Sequence, residues 1–306
     1  MLRLLASLLA LTLIAGSASA QDKGTLEARQ LAPLANPNDP KVPAKELFGR
    51  KTGPAPTPAR SIGFYARGCI AGAKALPING ETWQVMRLSR NRNWGHPQLV
   101  ALLERLSKKA NKVASWPGLL VGDMSQPRGG PMLTGHASHQ VGLDADVWLT
   151  PMPNRQLSRL EREEMSATMM VAKSRKDIDP EVWTAGHGAV IRAAAEEPSV
   201  ERIFVNAAIK KALCRDTSGS RAWLNKVRPM WGHDYHFHIR IKCPEGGADC
   251  KPQDPVPAGD GCGHELDWWF RDSVLFPKPP AVPPKPKPPL TLADLPPACR
   301  QIVMQP

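Results

Sequence analysis

The sequence holds 306 residues, 42% of them hydrophobic, with 40 Lys and Arg against 28 Asp and Glu for a formal charge of +12. After the first twenty residues no apolar run approaches the roughly 20 that cross a bilayer, so no transmembrane segment is expected in the mature chain. The basic excess predicts attraction to an acidic partner, but no recognisable nucleic-acid module accompanies it, which points away from nucleic acid.

In chain order, Arg3, the apolar run Leu4 to Ile14 and the small residues Ala18-Ser19-Ala20 read as a cleavable signal peptide over residues 1–20, predicting export to the periplasm with Gln21 as the mature N-terminus. Residues 21–59 include the Pro-rich stretch Pro33 to Pro58, expected as an extended, solvated string. Residues 60–275 read as one domain. Within it, strand candidates lie at Thr82 to Leu88, Gly118 to Gly122, Leu143 to Leu149, Ile203 to Val205 and Tyr235 to Ile241. Leu99, Leu103, Leu106 and Ala110 give helical spacing from His96 to Val113, and Ser158 followed by Glu161 resembles a capping box. A third helix is predicted to start at Asp179-Pro180, with Asp179 as cap. No regular βαβ rhythm is visible, so the expected class is α+β, a single domain with a small antiparallel sheet flanked by helices. Residues 276–306 form a second Pro-rich tail, its Pro277 to Pro297 stretch interleaved with Lys.

Six cysteines, Cys69, Cys214, Cys243, Cys250, Cys262 and Cys299, all follow the signal. An even number in an exported chain favours disulfides, and none of the short paired spacings of a cysteine zinc site is present. Cys243 and Cys250 are close enough for a local loop, and a bridge from Cys299 to a core cysteine such as Cys69 would tie the tail back. The working set is Cys69–Cys299, Cys214–Cys262 and Cys243–Cys250.

Five of the eight histidines fall in two short windows, GHASHQVGLDAD (Gly135 to Asp146) and GHDYHFHI (Gly232 to Ile239). Neutral imidazole and carboxylate are the ligands of a catalytic zinc, which takes three protein groups and leaves a position for water. Side chains alternate along a strand, so Asp234, His236, His238 and Arg240 should share one exposed polar face, with Tyr235, Phe237, Ile239 and Ile241 facing the core. The same rule sets Leu143, Ala145, Val147 and Leu149 inward and Asp144, Asp146 and Trp148 opposite. His139 lies on the loop leading in, where Gly142 supplies a bend toward Asp146. Asp144 is placed to orient a ligating imidazole from behind, and His233 reads as a loop residue.

His139, six intervening residues, Asp146 and then the distant His236-Phe-His238 resemble the zinc peptidase family that includes lysostaphin-type enzymes, D-Ala-D-Ala peptidases and the hedgehog signalling domain. The longer strings, with GDGCG at Gly259 to Gly263, are most similar to the penicillin-insensitive murein endopeptidases. The resemblance implies a hedgehog-like zinc site with His139, Asp146 and His238 as ligands and His236 as the catalytic histidine. In this branch His136 counts as a further ligand; it otherwise holds the substrate or a second, weaker metal. Beside His236, His233 is read as a second catalytic residue that stabilises the developing charge. The resemblance also implies cleavage of the D-alanyl to meso-diaminopimelyl cross-bridge of peptidoglycan, with a carboxypeptidase of the same clan or a wall-binding scaffold as rivals. Further ligands that some relatives carry are represented here only by Asp177, so no stable second metal is expected. His96, His187 and His264 are read as structural. Trp148, Trp231, Trp268 and Trp269 are packing residues or line a groove, and Arg128 and Arg240 are solvated charges or grip a substrate carboxylate.

Overall fold

The computed structural model describes residues 23–27, 31–280, 282–283 and 285–306, so the expected signal peptide at residues 1–20 lies outside the described residues. In chain order the elements are α1 (Ala44–Phe48), β1 (Arg60–Phe64), β2 (Arg67–Ala71), β3 (Lys74–Ala75), β4 (Trp83–Val85), β5 (Trp94–Gly95), α2 (Pro97–Ala114), β6 (Leu119–Val121), β7 (Asp144–Trp148), α3 (Arg159–Glu164), α4 (Ala185–Ala195), β8 (Val200–Val205), α5 (Ala207–Asp216), β9 (Val227–Pro229), β10 (His236–Ile241), the short turns α6 (His264–Asp267) and α7 (Asp272–Leu275), and α8 (Pro297–Met304).

The main sheet is six-stranded, in the order β4-β6-β7-β10-β8-β9. Its centre is antiparallel, as expected, but both edges are parallel: β4 pairs with β6 and β8 with β9. Each parallel pair is joined through a helix, α2 or α5, because strands running the same way need a long crossover. The sheet is therefore mixed and larger than the predicted antiparallel one. These crossovers were hidden by edge strands of only three residues.

Alternation along the two central strands builds the core. Ala145, Val147, Phe237, Ile239 and Ile241 are fully buried and pack with Leu99, Leu103 and Leu106 of α2 and with Val190 and Ile191 of α4. Truncating such an aromatic, Phe237 for instance, costs about 3–5 kcal/mol. The opposite face carries Asp144, Asp146, His236, His238 and Arg240. It is not exposed as predicted, since every residue of β10 is buried. Tyr235, expected beside Phe237, precedes the strand and packs with Trp148, Met86 and Leu157 in a separate cluster.

Helix α2 begins after His96, whose Nδ1 accepts from Gln98 N at 3.3 Å. The Ser158–Glu161 capping box opens α3. The helix predicted at Asp179 starts at Ala185 instead. Asp179 Oδ1 accepts from Glu181 N at 3.0 Å, an Asx turn that competes with helix entry, and Thr184 takes the cap position with its amide on His187 Nδ1 at 2.9 Å.

Both Pro-rich segments are only partly solvated. Ala44, Leu47 and Phe48 of α1 pack with Ile62 and Ala71 of the β1–β2 hairpin and with Ile302 and Val303 of α8. The Cys69–Cys299 disulfide joins hairpin to tail, while Cys214–Cys262 and Cys243–Cys250 form the other two bridges. Arg128 is buried and donates to the carbonyls of Ile302, Gln305 and Pro306 at 2.8, 2.6 and 2.6 Å, so its charge anchors the C-terminus and grips no substrate.

Candidate metal centre

Strand register brings the two histidine windows together. On β7 and β10, His238 lies opposite Asp146 and Arg240 opposite Asp144. His238 Nδ1 is 3.2 Å from Asp146 Oδ1. From the loop between β6 and β7, His139 Nε2 and His136 Nε2 reach 3.5 Å from Asp146 Oδ1 and Oδ2 respectively. His136, His139 and Asp146 each offer a ligand atom within 4.8 Å of the others, and the His139 ring lies 4.5 Å from that of His238.

Asp144 orients the candidate ligands. Its carboxylate accepts His238 Nε2 at 3.0 Å, Arg240 Nε at 2.7 Å and the backbone amide of His139 at 3.0 Å. A carboxylate can only accept here, so Nε2 of His238 carries the proton and Nδ1 presents its lone pair to the centre. The amide contact holds His139 at φ 67°, a left-handed conformation that strains a non-glycine residue. Gly142, at φ 71°, is needed as glycine: a Cβ there would sit 2.4 Å from Ile70 Cδ1. Arg240 is fixed over the Tyr65 ring at 4.0 Å and donates to Gln253 Oε1 at 2.8 Å, which assigns it to orienting Asp144.

Asp123 was not anticipated. It follows β6, and its Oδ2 accepts His136 Nε2 at 3.0 Å, Arg92 Nη1 at 2.8 Å and Arg90 Nη1 at 3.0 Å. The one sequence signal for it was an acidic residue directly after the Gly118 to Gly122 strand candidate.

The donor set suits a divalent cation. His139 is fully buried with neither ring nitrogen hydrogen-bonded, and Asp146 Oδ1 and His236 Nδ1 are likewise buried without a hydrogen bond. Each such atom costs about 1–3 kcal/mol when left bare, and a metal would convert the lone pairs of His139 and Asp146 into ligands. Burial alone would raise the Asp146 pKa, but His139, His236 and His136 around it hold the carboxyl well below the usual range. For His238, burial lowers the pKa and the Asp144 charge and hydrogen bond raise it, the latter prevailing. The field that favours a proton on His238 equally favours a cation in its place.

His236 Nε2 is 3.7 Å from Asp146 Oδ1. Burial pushes its pKa down to about 4, leaving a neutral base at neutral pH. His233, also left-handed at φ 56°, donates Nδ1–H to the Trp231 carbonyl at 2.8 Å, and its ring lies 4.7 Å from that of His236. Burial again, aided by repulsion from His236, pushes His233 down to about 3. Asp177 stays outside this group, its carboxylate ion-paired with Lys211 and Arg215 at 3.1 and 3.0 Å. His187 packs between Trp116 and Trp183, and His264 is exposed on α6.

A sequence profile described as penicillin-insensitive murein endopeptidase matches residues 61–304. Among curated proteins, the chain is 47% identical over 231 residues to a penicillin-insensitive murein endopeptidase of Haemophilus influenzae, covering 74% of this chain and 80% of the relative. It is 42% identical over 245 residues to one from Klebsiella pneumoniae, covering 80% and 86%. For the protein of the same name from Salmonella arizonae the identity is 41% over 252 residues, covering 82% and 89%.

Proposed function

The chain belongs to the penicillin-insensitive murein endopeptidase family, and on that premise we propose that it hydrolyses the D-alanyl to meso-diaminopimelyl cross-bridge of peptidoglycan at a zinc centre held by His139, Asp146 and His238. The observation that carries this reading is the Asp144–His238 hydrogen bond, which fixes the tautomer presenting Nδ1 beside Asp146 and the unpartnered nitrogens of His139. His136 joins as a weaker fourth ligand, its Nε2 already engaged by Asp123. Zinc, when bound, polarises the scissile carbonyl and lowers the pKa of its water.

The chain's own groups handle the protons. His236, neutral in its buried position, accepts the water proton at Nε2 and returns it to the leaving amine. His233 keeps one proton on Nδ1, donated to the Trp231 carbonyl, and takes up a second only against a developing negative charge, as its low pKa requires. No serine nucleophile takes part, so a β-lactam has nothing to acylate. Three disulfides suit an oxidising compartment, consistent with action in the periplasm.

The test is digestion of purified cross-linked sacculi with mass spectrometry of the products. Muropeptide dimers should become monomers, with activity lost on chelation and restored by zinc. Release of terminal D-Ala alone would replace the endopeptidase with a carboxypeptidase. His236→Ala should retain zinc and lose about 10²–10⁴-fold in kcat, and near-normal turnover would remove His236 from the proton path.

A further inference from the structure

Beside the centre lies a cluster of indoles that the proton chemistry does not use. Trp231 is 48% exposed and Trp268 is 43% exposed. Trp269 lies between them, its ring 5.0 Å from Trp231 and 5.3 Å from Trp268. Exposed apolar side chains scattered singly need no explanation, whereas a contiguous exposed patch marks an interaction site.

Two further observations separate this patch from a frayed edge. First, it is rigidly supported from below. The Cys214–Cys262 bridge ties the approach to α6 onto α5. Arg221 Nε holds Asp260 Oδ2 at 2.8 Å, Arg228 Nη2 holds Glu265 Oε2 at 2.8 Å, and the fully buried Lys210 donates Nζ to the Asp260 carbonyl at 2.6 Å. Second, it is continuous with the centre, because the Trp231 carbonyl takes the Nδ1–H of His233, whose ring neighbours His236.

We propose that Trp231, Trp268 and Trp269 form a platform for the sugar rings of the glycan strand whose peptide is held in the centre. This rests on the murein-hydrolase reading, in which the substrate does not end at the scissile peptide but continues into amino-sugar polymer. The flat C–H face of a pyranose ring stacks on indole, while the hydroxyls at its rim need polar neighbours. The patch has that composition: Glu265, Asp267 and Arg271 are exposed around it and Lys211 Nζ sits 5.3 Å from the Phe270 ring. An anionic membrane would be met by a rim of one sign, and the acidic members of this rim oppose it.

The experiment uses the zinc-loaded full chain, with Trp268→Ala and the Trp268→Ala/Trp269→Ala pair, and reads zinc content and thermal unfolding alongside three assays. These are binding of peptide-free murein oligosaccharide followed by indole fluorescence, turnover of intact sacculi, and turnover of a sugar-free cross-linked peptide dimer. The double variant should weaken oligosaccharide binding and raise the KM for sacculi by about tenfold, the order expected for lost aromatic stacking, with kcat and dimer hydrolysis unchanged. Trp268→Phe should restore most of the loss. Equal losses on sacculi and dimer, an unchanged KM on sacculi, or no oligosaccharide binding by the wild-type chain would each overturn the platform. If the double variant does not fold, Trp268→Ala decides by the same readings. A wild-type chain that binds oligosaccharide yet cleaves neither substrate would instead sink the endopeptidase reading.

Discussion

Two carboxylate–imidazole pairs face each other across the centre, alike in chemistry and different in support. Asp144 takes His238 Nε2 and Asp123 takes His136 Nε2, each at 3.0 Å, and each carboxylate is also held by arginine. His238 sits in the middle of the sheet, paired on one side to β7 and on the other to β8, and its side chain is 5% exposed. His136 rides on the loop between β6 and β7 with its side chain 27% exposed. Asp144 also sets the backbone of His139, whereas Asp123 serves His136 alone among the imidazoles. The same device thus holds a buried imidazole where hydrogen-bonded strands carry it and a partly exposed one where a loop does.

The largest expected effect breaks the pair on the strand side. His238→Ala should abolish stoichiometric zinc and lower activity beyond the roughly 100-fold that marks changes outside the ligands themselves. His136→Ala should keep zinc, with activity within about tenfold of the parent, because three ligands suffice for a catalytic centre. Metal analysis and sacculus turnover check both, and equal zinc loss in the two variants would erase the distinction. Next comes the supporting carboxylate. Asp144→Asn should weaken zinc binding about 10–100-fold, and since Arg240 then keeps a buried charge without its partner, it should cost about 3–5 kcal/mol in denaturant unfolding. Asp123→Asn should have the smaller effect on zinc, because two arginines and His136 remain beside the partly exposed loop.

What the sequence made legible follows the same division. Alternation alone placed His236, His238 and Arg240 on one face and Asp144 with Asp146 on another, since a period of two is a property of any strand. It could say which way these residues point but not what covers them, and the loop from Asp123 to Gly142 buries a face that the pattern left open. Asp123 itself carries no periodic signal; its partners Arg90, Arg92 and His136 meet it only through the fold. At Asp179 the cap signal was genuine but local, and the chain spends it on a turn before Thr184 starts the helix. The Pro content of residues 33–58 spoke for an extended string, yet Leu47 and Phe48 had enough apolar surface to bind α8. The Trp231, Trp268 and Trp269 group needed distance information, because nearly forty residues separate Trp231 from the adjacent Trp268 and Trp269.

The smallest effect asks whether the two supporting carboxylates, unlike their imidazoles, are equivalent. For Asp144, burial would raise the pKa, but Arg240 and His238 outweigh it; for Asp123, burial is likewise outweighed by the His136 hydrogen bond and by Arg92 and Arg90. Both are held below the ordinary value of 3.8. A carboxyl with a lowered pKa in the folded state binds fewer protons there than in the unfolded chain. Its contribution to stability is therefore complete above pH 3.8 and drains away as pH falls below it, at about 1.4 kcal/mol per pH unit for each group. Zinc-free protein unfolded by denaturant below that pH should show this slope, and Asp123→Asn and Asp144→Asn should each remove one group's share of it. If Asp123→Asn leaves the slope unchanged while Asp144→Asn flattens it, Asp123 is not held ionised by its arginines. The loop pair would then be weak in its carboxylate as well as in its imidazole, and the two halves of the centre would differ in electrostatics as much as in burial.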